Sequence, residues 1–453
     1  MLRRVWRNPR EWLACGRNRT RPPARTQGGG NSSAIAPSED AASAQRRPPP
    51  DAAGVSPNPP GRLAPGLSAL IALALVLLAG CGGQPRRLEA PQLGSSGSQA
   101  NAPQALGFPG FATKNTTRVG GADPVANAAA VARAVYPGDG AGGAESRPRA
   151  VVLADEHVWQ SALAAAVFMS APLRAPLLLS DGGSLPAASK DALDALAPTG
   201  ASELNSAQVV RIGDAPAPAG YRSTTIAGSD PIALAAAIDR LQSIVIGHAS
   251  RAVAVVSADN PAYAMPAAGW AAKTGNPLLL VHRDTIPGPT FAALQAHHAP
   301  RIYLLAPPSI VGRSVARALR AIGPVTRISA PDPVRSAIAF ARLRDGRFGW
   351  GVDDPGHGLV FANAHRTLDA AAAAPLSASG PYGPLLLVED PSLLPVPVGS
   401  YLLDIQPGYT QDPVRGVYNH GWLIGDQNAI SLPVQSRIDS DLEIQPLNAN
   451  ASP

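Results

Sequence analysis

Three arginines fall on one face of a predicted helix and could bind anionic groups. Arg313, Arg317 and Arg320 are spaced at i, i+4 and i+7, which places them in one row on an α-helix. The opposite face is apolar and consists of Val311, Val315, Leu319 and Ile322. A guanidinium can pair with both oxygens of a phosphate or carboxylate. The row therefore predicts a site for an anionic polymer, although a solvated helix face explains the same pattern.

A second set of candidate polymer-binding residues is Ser161, Tyr263 and Asp369, which occupy one equivalent position in a repeated pattern. Each lies in an Ala-rich predicted helix that follows an apolar strand. Open α/β sheets bind ligands at the carboxyl ends of their strands, so these side chains could line a functional surface. The alternative is that they pack between repeats.

Three aspartates, Asp123, Asp230 and Asp332, each stand directly before a proline. A carboxylate at the N-cap accepts hydrogen bonds from free amides, and proline suits the first helical position because it lacks an amide there. We therefore predict that the three are structural helix caps rather than ligands for a cation. Their carboxylates also disfavour phosphate binding at these helix starts.

The sequence has no recognisable catalytic or metal-binding pattern. His297, His298 and the other histidines lack metal-ligand spacing, and we find no Gly-x-Ser-x-Gly motif, cysteine nucleophile or catalytic carboxylate pair. Gly138 to Gly143 looks like a phosphate loop, but it follows a helix and precedes a strand, the reverse of a dinucleotide-binding motif. We interpret it as a flexible connection. We predict a non-enzymatic protein without cofactor or metal.

One cysteine lies where a lipid could be attached. Residues 67 to 80 form an apolar stretch that is too short to cross a bilayer but suits a signal peptide. The stretch leads into Leu78-Ala79-Gly80-Cys81, which resembles the bacterial lipobox, whose cysteine receives a diacylglyceryl group. An ordinary secretory signal with an incidental cysteine is the alternative. Cys81 is the only cysteine after the leader, which excludes an internal disulfide in the mature chain.

The composition of the segments before and after the repeats indicates what each segment is. Residues 1–62 are rich in Arg, Pro, Gly and Ser without hydrophobic periodicity, which predicts a disordered leader extension and favours a translation start further downstream. Residues 63–81 form the lipoprotein signal peptide. Residues 82–115 are too polar to bury a core and are predicted to be a flexible tether, and residues 446–453 a disordered tail.

The basic charge of the chain belongs to the leader. The net charge is +6, but residues 1–81 hold 11 arginines and 4 acidic residues, which leaves 27 basic and 28 acidic residues in the remainder. The mature part is therefore close to neutral. This balance argues against a nucleic-acid partner and requires any anion binding to be local.

The elements that position these residues come in three copies. Each copy contains an Asp-Pro step, at Asp123, Asp230 and Asp332, and a later Pro-Leu-Leu-Leu run that begins at Pro176, Pro277 and Pro384. The two sets of marks recur at about the same spacing, close to one hundred residues, and short apolar strands alternate with helices between them. We predict three tandem Rossmann-like repeats with doubly wound, mainly parallel sheets, over residues 116–225, 226–326 and 327–445.

These landmarks resemble the cell wall-binding repeat of the second type, which is found in Gram-positive surface proteins. The opening Arg118-Val119-Gly120-Gly121-Ala122-Asp123 and the three Pro-Leu-Leu-Leu runs carry the resemblance. The Arg-Tyr-x-Thr segment of the family pattern is missing from all three copies, and of the helical Asp-Ala-Leu step only Asp369 keeps the acid. The resemblance implies packing of the repeats around a pseudo-threefold axis.

The resemblance also implies a function. We expect a non-enzymatic protein, lipid-anchored at Cys81 to the outer face of the cytoplasmic membrane, whose repeats bind an anionic secondary cell-wall polymer without a covalent bond. Its expected partners are wall polymer or a peptidoglycan-associated glycan, and the membrane through the anchor. The alternative is a lipoprotein that binds a solute or glycan in a cleft between repeats.

Overall fold

The computed structural model describes residues 111–137, 146–380 and 382–447. Within them, mainly parallel sheets are flanked by helices, which confirms the predicted α/β class. The leader, Cys81, residues 82–110 of the predicted tether and the Gly138 to Gly143 connection lie outside the described residues. Residues 111–115, which we also predicted to be tether, are part of the fold, because Phe111–Ala112 form a strand and Asn115 is buried. Among the helices that are described, none is both long and apolar enough to cross a membrane.

The first repeat follows two short strands, β1 (Phe111–Ala112) and β2 (Thr116–Val119). Its own elements, in chain order, are α1 (Pro124–Val135), β3 (Val151–Asp155), α2 (Trp159–Ala165), β4 (Leu177–Ser180), α3 (Ala187–Leu196), β5 (Val209–Ile212) and β6 (Ser223–Ile226). Helix α2 continues into a 3-10 turn over Ala166–Met169.

The second repeat shows the same alternation in its most regular form. It contains α4 (Pro231–Ile246), β7 (Ala252–Ser257), α5 (Pro261–Thr274), β8 (Leu278–Val281), α6 (Gly288–Ala296), β9 (Arg301–Leu305), α7 (Arg313–Arg320) and β10 (Val325–Ile328). The inner strand β7 and the edge strand β8 are both almost wholly buried because helices cover both faces of the sheet.

The third repeat has an additional short pair of strands at its end. It contains α8 (Pro333–Arg342), β11 (Gly358–Asn363), α9 (Thr367–Ala378), β12 (Leu385–Val388), α10 (Val396–Asp404), β13 (Gly408–Tyr409), β14 (His420–Ile424), α11 (Leu432–Asp441) and β15 (Gln445–Pro446). β15 pairs with β13, so the described chain stays in the fold as far as the first residue that we predicted to be tail.

The three sheets share one strand order. The first is β4-β3-β5-β6 and the second is β8-β7-β9-β10, with every pair parallel. The third is β12-β11-β14-β2, with β1 antiparallel at its edge. In the first two sheets the chain starts at an inner strand and builds outward in both directions, as in a doubly wound fold. In the third sheet β11, β12 and β14 follow the same course, and the position beside β14 is taken by β2, which comes earlier in the chain.

Strand β2 therefore belongs to the sheet of the third repeat, although it precedes the first. It pairs in parallel with β14, with Thr116 opposite Gly421 and Val119 opposite Ile424. Arg118 is buried and fixes this junction, because its guanidinium donates to the carbonyls of Gly425 at 2.9 Å and Ile430 at 2.6 Å. The strand covers an edge of β14 whose backbone groups would otherwise lack partners.

Alanine-rich helices form the contacts at the centre of the molecule. Helices α2, α5 and α9, which follow the first strand of each repeat, all contact one another. Their small side chains allow close approach: a Cβ at Gly269 on α5 would lie 2.6 Å from the Ser377 hydroxyl on α9. One buried apolar core runs through all three repeats, and a second cluster lies under α7. The pseudo-threefold axis stays a prediction.

Candidate functional site

The predicted arginine row lies on α7, a helix with two distinct faces. Its inner face, with Val315, Ala316 and Leu319, is buried in the apolar cluster of the second repeat. Arg313, Arg317 and Arg320 are all exposed, and none of them forms an ion pair with any residue that the structure describes. The helix therefore presents three free guanidiniums to solvent.

A fourth arginine strengthens the positive field of this helix. Arg327 on β10 is half-buried and donates to the carbonyl of Ala306 on the neighbouring loop. Burial lowers the pKa of Arg327, and the charges of Arg320 and Arg313 lower it further. Because these positive charges act on one another, an anion bound beside α7 would relieve their mutual repulsion.

The equivalent residues Ser161, Tyr263 and Asp369 lie near the starts of α2, α5 and α9. Ser161 is buried, and its hydroxyl donates to the carbonyl of Val158 at 3.0 Å. Tyr263 is partly exposed and donates to the carbonyl of Pro331, just before the helix of the next repeat, at 3.1 Å. Burial and the nearby charges of Asp332 and Glu389 raise the pKa of Tyr263.

Asp369 is fully buried at the contact between the third and first repeats. Its Oδ1 accepts from Asn127 Nδ2 on α1 at 2.7 Å. Its Oδ2 lies 2.8 Å from Arg366 Nε, although the direction of this contact is outside hydrogen-bond geometry. Burial raises the pKa of Asp369. Arg366 and the hydrogen bond from Asn127 oppose that rise. The hydrogen bond and the ion pair of Asp369 are contacts within the protein, and its role in polymer binding stays a prediction.

The three Asp-Pro aspartates occupy N-cap positions. Asp123 Oδ1 accepts from the amide of Ala126 at 2.8 Å, and Asp332 Oδ1 accepts from the amide of Arg335 at 2.7 Å. Asp230 Oδ1 accepts from two amides at 2.9 Å, which lowers the pKa of this carboxyl. These hydrogen bonds satisfy amides that the first helical turn leaves free.

A basic cleft that was not predicted from the sequence lies at the amino ends of the strands of the second sheet. The cleft has a volume of about 940 Å³, and its basic lining residues are His248, Arg251, Arg301 and Arg347. Asp345 is the acid that lines it, and its carboxylate accepts from the Tyr303 hydroxyl at 3.0 Å. These basic residues lie up to one hundred positions apart, so no local sequence pattern connects them.

The opposite edge of the sheets is mainly acidic. Asp155 ends β3, while Asp181, Asp259 and Asp426 follow β4, β7 and β14. Ligand atoms of Glu156, His157 and Asp181 lie within 4.8 Å of one another, so these side chains could reach one metal ion. The spacing of the histidines in the sequence did not reveal this cluster, because Asp181 lies on a different loop from Glu156 and His157. Anionic ligands are disfavoured at this edge by like-charge repulsion.

Comparisons with known proteins identify the fold. No family model and no curated protein matches the chain. Among solved structures it is similar to Cwp8 from Clostridium difficile, with 16% identity, a TM-score of 0.55, and coverage of 73% of this chain and 52% of that chain. Cwp6 from Clostridium difficile matches with 15% identity, the same TM-score and the same share of this chain, and with 48% of its own length covered.

The chain thus spans about half the length of both structures. At this level of identity the likeness is one of fold.

Proposed function

We propose that this protein is a cell-surface protein that binds an anionic cell-wall polymer without a covalent bond and has no enzymatic activity. The observation that carries the proposal is the exposed row of Arg313, Arg317 and Arg320, which lacks acidic partners among the described residues. A lipid at Cys81 would hold the protein at the outer face of the membrane. The fold shared with Cwp8 and Cwp6, which are cell wall proteins, supports this assignment.

The geometry of the row suits a repeating polyanion. Arg320 follows Arg313 by seven positions along the helix, a rise of about 10 Å, so the row can contact more than one charge of an extended chain. Each exposed contact is worth about 0.2 to 1 kcal/mol, and three of them add about 2 kcal/mol. Binding through this surface is therefore moderate in strength and depends on several contacts at once.

The proposal is tested by sedimentation of the purified full chain with cell walls. We expect the protein to sediment with intact walls and to remain in solution after the secondary polymers have been removed. Equal sedimentation with both preparations would assign binding to peptidoglycan itself. Failure to sediment with intact walls would contradict the proposed function.

A matched pair of variants connects binding to α7. In the first variant Arg313, Arg317 and Arg320 are all replaced by Gln. The control variant removes three other exposed arginines, Arg222, Arg240 and Arg415, one from each repeat. Both variants lose the same net charge, so a difference between them reports the position of the charges. We expect only the α7 variant to lose wall binding.

A further inference from the structure

A cavity lies where the three repeats meet, and each repeat contributes to its wall. Its volume is about 580 Å³, within the range of sites for small molecules. The polar lining includes Tyr136, Ser170 and Arg174 of the first repeat, Lys273 of the second and Ser379 of the third. Arg174 and the neighbouring Gly380 are exposed, so the cavity is open to solvent.

Lys273 is a half-buried cation in this wall without a counter-ion. The chain has three lysines: Lys114 pairs with Glu443, and Lys190 pairs with Asp194. Lys273 pairs with no acid among the residues that the structure describes. Its Nζ instead lies 3.3 Å from the centroid of the Tyr382 ring and 4.9 Å from that of Trp350. Aromatic rings attract the ammonium but supply no full negative charge.

The cavity holds a second positive group. Arg174 also forms no ion pair within the described part of the chain, and its carbonyl accepts from the Tyr136 hydroxyl at 2.8 Å, which fixes its backbone. Helices α1, α5 and α9 end beside the cavity, and helix C-termini carry partial negative charge. The partial charges at these helix ends do not compensate for the hydration that Lys273 loses on burial. As a result, burial lowers the pKa of Lys273 from 10.5 to about 8.

We propose that this central cavity binds one phosphate or carboxylate group, which pairs with Lys273 and Arg174. An oxyanion supplies the missing negative charge, and the nearby hydroxyl of Ser379 offers a hydrogen bond at the same wall. Because the two cations belong to different repeats, bound anion also holds the first and second repeats together. The inference does not depend on wall binding, since the group could come from a free small anion or from a polymer.

Thermal unfolding of the full chain in inorganic phosphate tests the site. Phosphate should raise the Tm above that in chloride of equal ionic strength, because it binds the folded state. Lys273→Met should abolish this rise or weaken the affinity for phosphate by roughly tenfold or more, the effect of losing one charge-assisted hydrogen bond. Lys190→Met, at an exposed lysine that pairs with Asp194, should keep the rise. An equal rise in wild type and Lys273→Met would overturn the inference.

Direct titration of the lysines gives a second test that does not depend on stability. Reductive methylation with 13C-formaldehyde labels all three lysines, and NMR then follows each ammonium separately. Lys273 should have the lowest titration midpoint, about 8 in chloride, and saturating phosphate should move it upward. An unchanged midpoint for Lys273 at saturating phosphate would also contradict the site.

Competition distinguishes the two sources of the anion. If a phosphate of the wall polymer occupies the cavity, inorganic phosphate should reduce sedimentation of the wild type with walls more than chloride of equal ionic strength does. Lys273→Met should lose this difference. If a free anion is the ligand, phosphate should raise the Tm but leave sedimentation as it is in chloride. Both results support the site, whereas the absence of any Tm rise in the wild type refutes it and leaves the proposed wall binding untouched.

Discussion

Replacement of Asp369 should weaken the contact between the third and first repeats. Asp369→Ala removes the acceptor of the 2.7 Å hydrogen bond from Asn127 and the nearest acidic partner of Arg366. Arg366 then keeps its 3.5 Å contact to Asp426 and its 3.1 Å hydrogen bond to the carbonyl of Ala122. A buried donor without an acceptor costs about 1 to 3 kcal/mol, and the loss of one partner of a buried ion pair costs about 3 to 5 kcal/mol. Because Arg366 keeps some access to water, we expect a total of about 3 kcal/mol.

For roughly 330 residues that unfold together, an entropy of about 2.1 cal/mol/K per residue converts this cost into a decrease in Tm of about 4 °C. Circular dichroism of the full chain measures the change. Ser161→Ala is the control at the equivalent position of the first repeat, and it removes only a hydroxyl that donates to a nearby carbonyl. Equal Tm values for the two variants would refute the role of Asp369 as a contact between repeats.

The burial of Asp369 also predicts that the stability of the protein depends on pH. Burial raises the folded-state pKa of Asp369 above 3.8, so the folded state holds this proton more tightly than the unfolded state does. As pH falls through the folded pKa, the wild type should therefore gain stability relative to Asp369→Asn, which does not titrate. A constant difference in Tm between these two proteins from pH 7 to pH 4 would contradict the raised pKa.

Three further predictions concern other sites. Arg118→Met should destabilise the fold by about 3 kcal/mol in urea unfolding, because it removes hydrogen bonds that join β2 to the third repeat; an effect below 1 kcal/mol would contradict this joint. The lowered pKa of Lys273 should make the wild type gain stability relative to Lys273→Met as pH rises from about 8 to 10.5, and parallel stability curves would exclude the shift. Cys81→Ser should release the protein from membranes of a Gram-positive host, whereas an unmodified Cys81 in the mature wild type, found by mass spectrometry, would exclude lipidation.

The sequence predicted the local elements well because each has a strong local cause. The Asp-Pro steps mark helices that begin at Pro124, Pro231 and Pro333. The Pro-Leu-Leu-Leu runs become buried strands because three consecutive leucines suit a sheet that is covered on both faces. The arginine row also lies on the helix that its spacing predicts.

Long-range pairing could not be predicted in the same way. Strand β2 joins a strand about 300 positions away, and its residues Thr116 to Val119 carry no local signal that distinguishes the third sheet from the first. The outer strands β6 and β10 were also missed as parts of the sheets, because their side chains are partly exposed and mixed in polarity.

The candidate sites also differ in whether local sequence could predict them. A row on one helix can be found from spacing, whereas the basic cleft and the central cavity combine residues from separate loops or repeats. Ser161 and Asp369 lie in helices that follow a strand, as the repeated pattern predicted, but their burial depends on the neighbouring repeat. Local sequence does not show which repeat packs over a given position, so the burial of these two side chains could not be predicted.

The most direct test of polymer binding through α7 is the salt dependence of wall affinity. Charge contacts at an exposed surface are screened over about 8 Å at physiological ionic strength. We predict that wild-type affinity falls steeply with salt, and that replacing Arg313, Arg317 and Arg320 by Gln lowers the affinity about 30-fold at low salt, the equivalent of about 2 kcal/mol, and flattens the slope. The control triple at Arg222, Arg240 and Arg415 should follow the wild type. Identical affinity and slope for the wild type and the α7 variant would contradict binding through this helix.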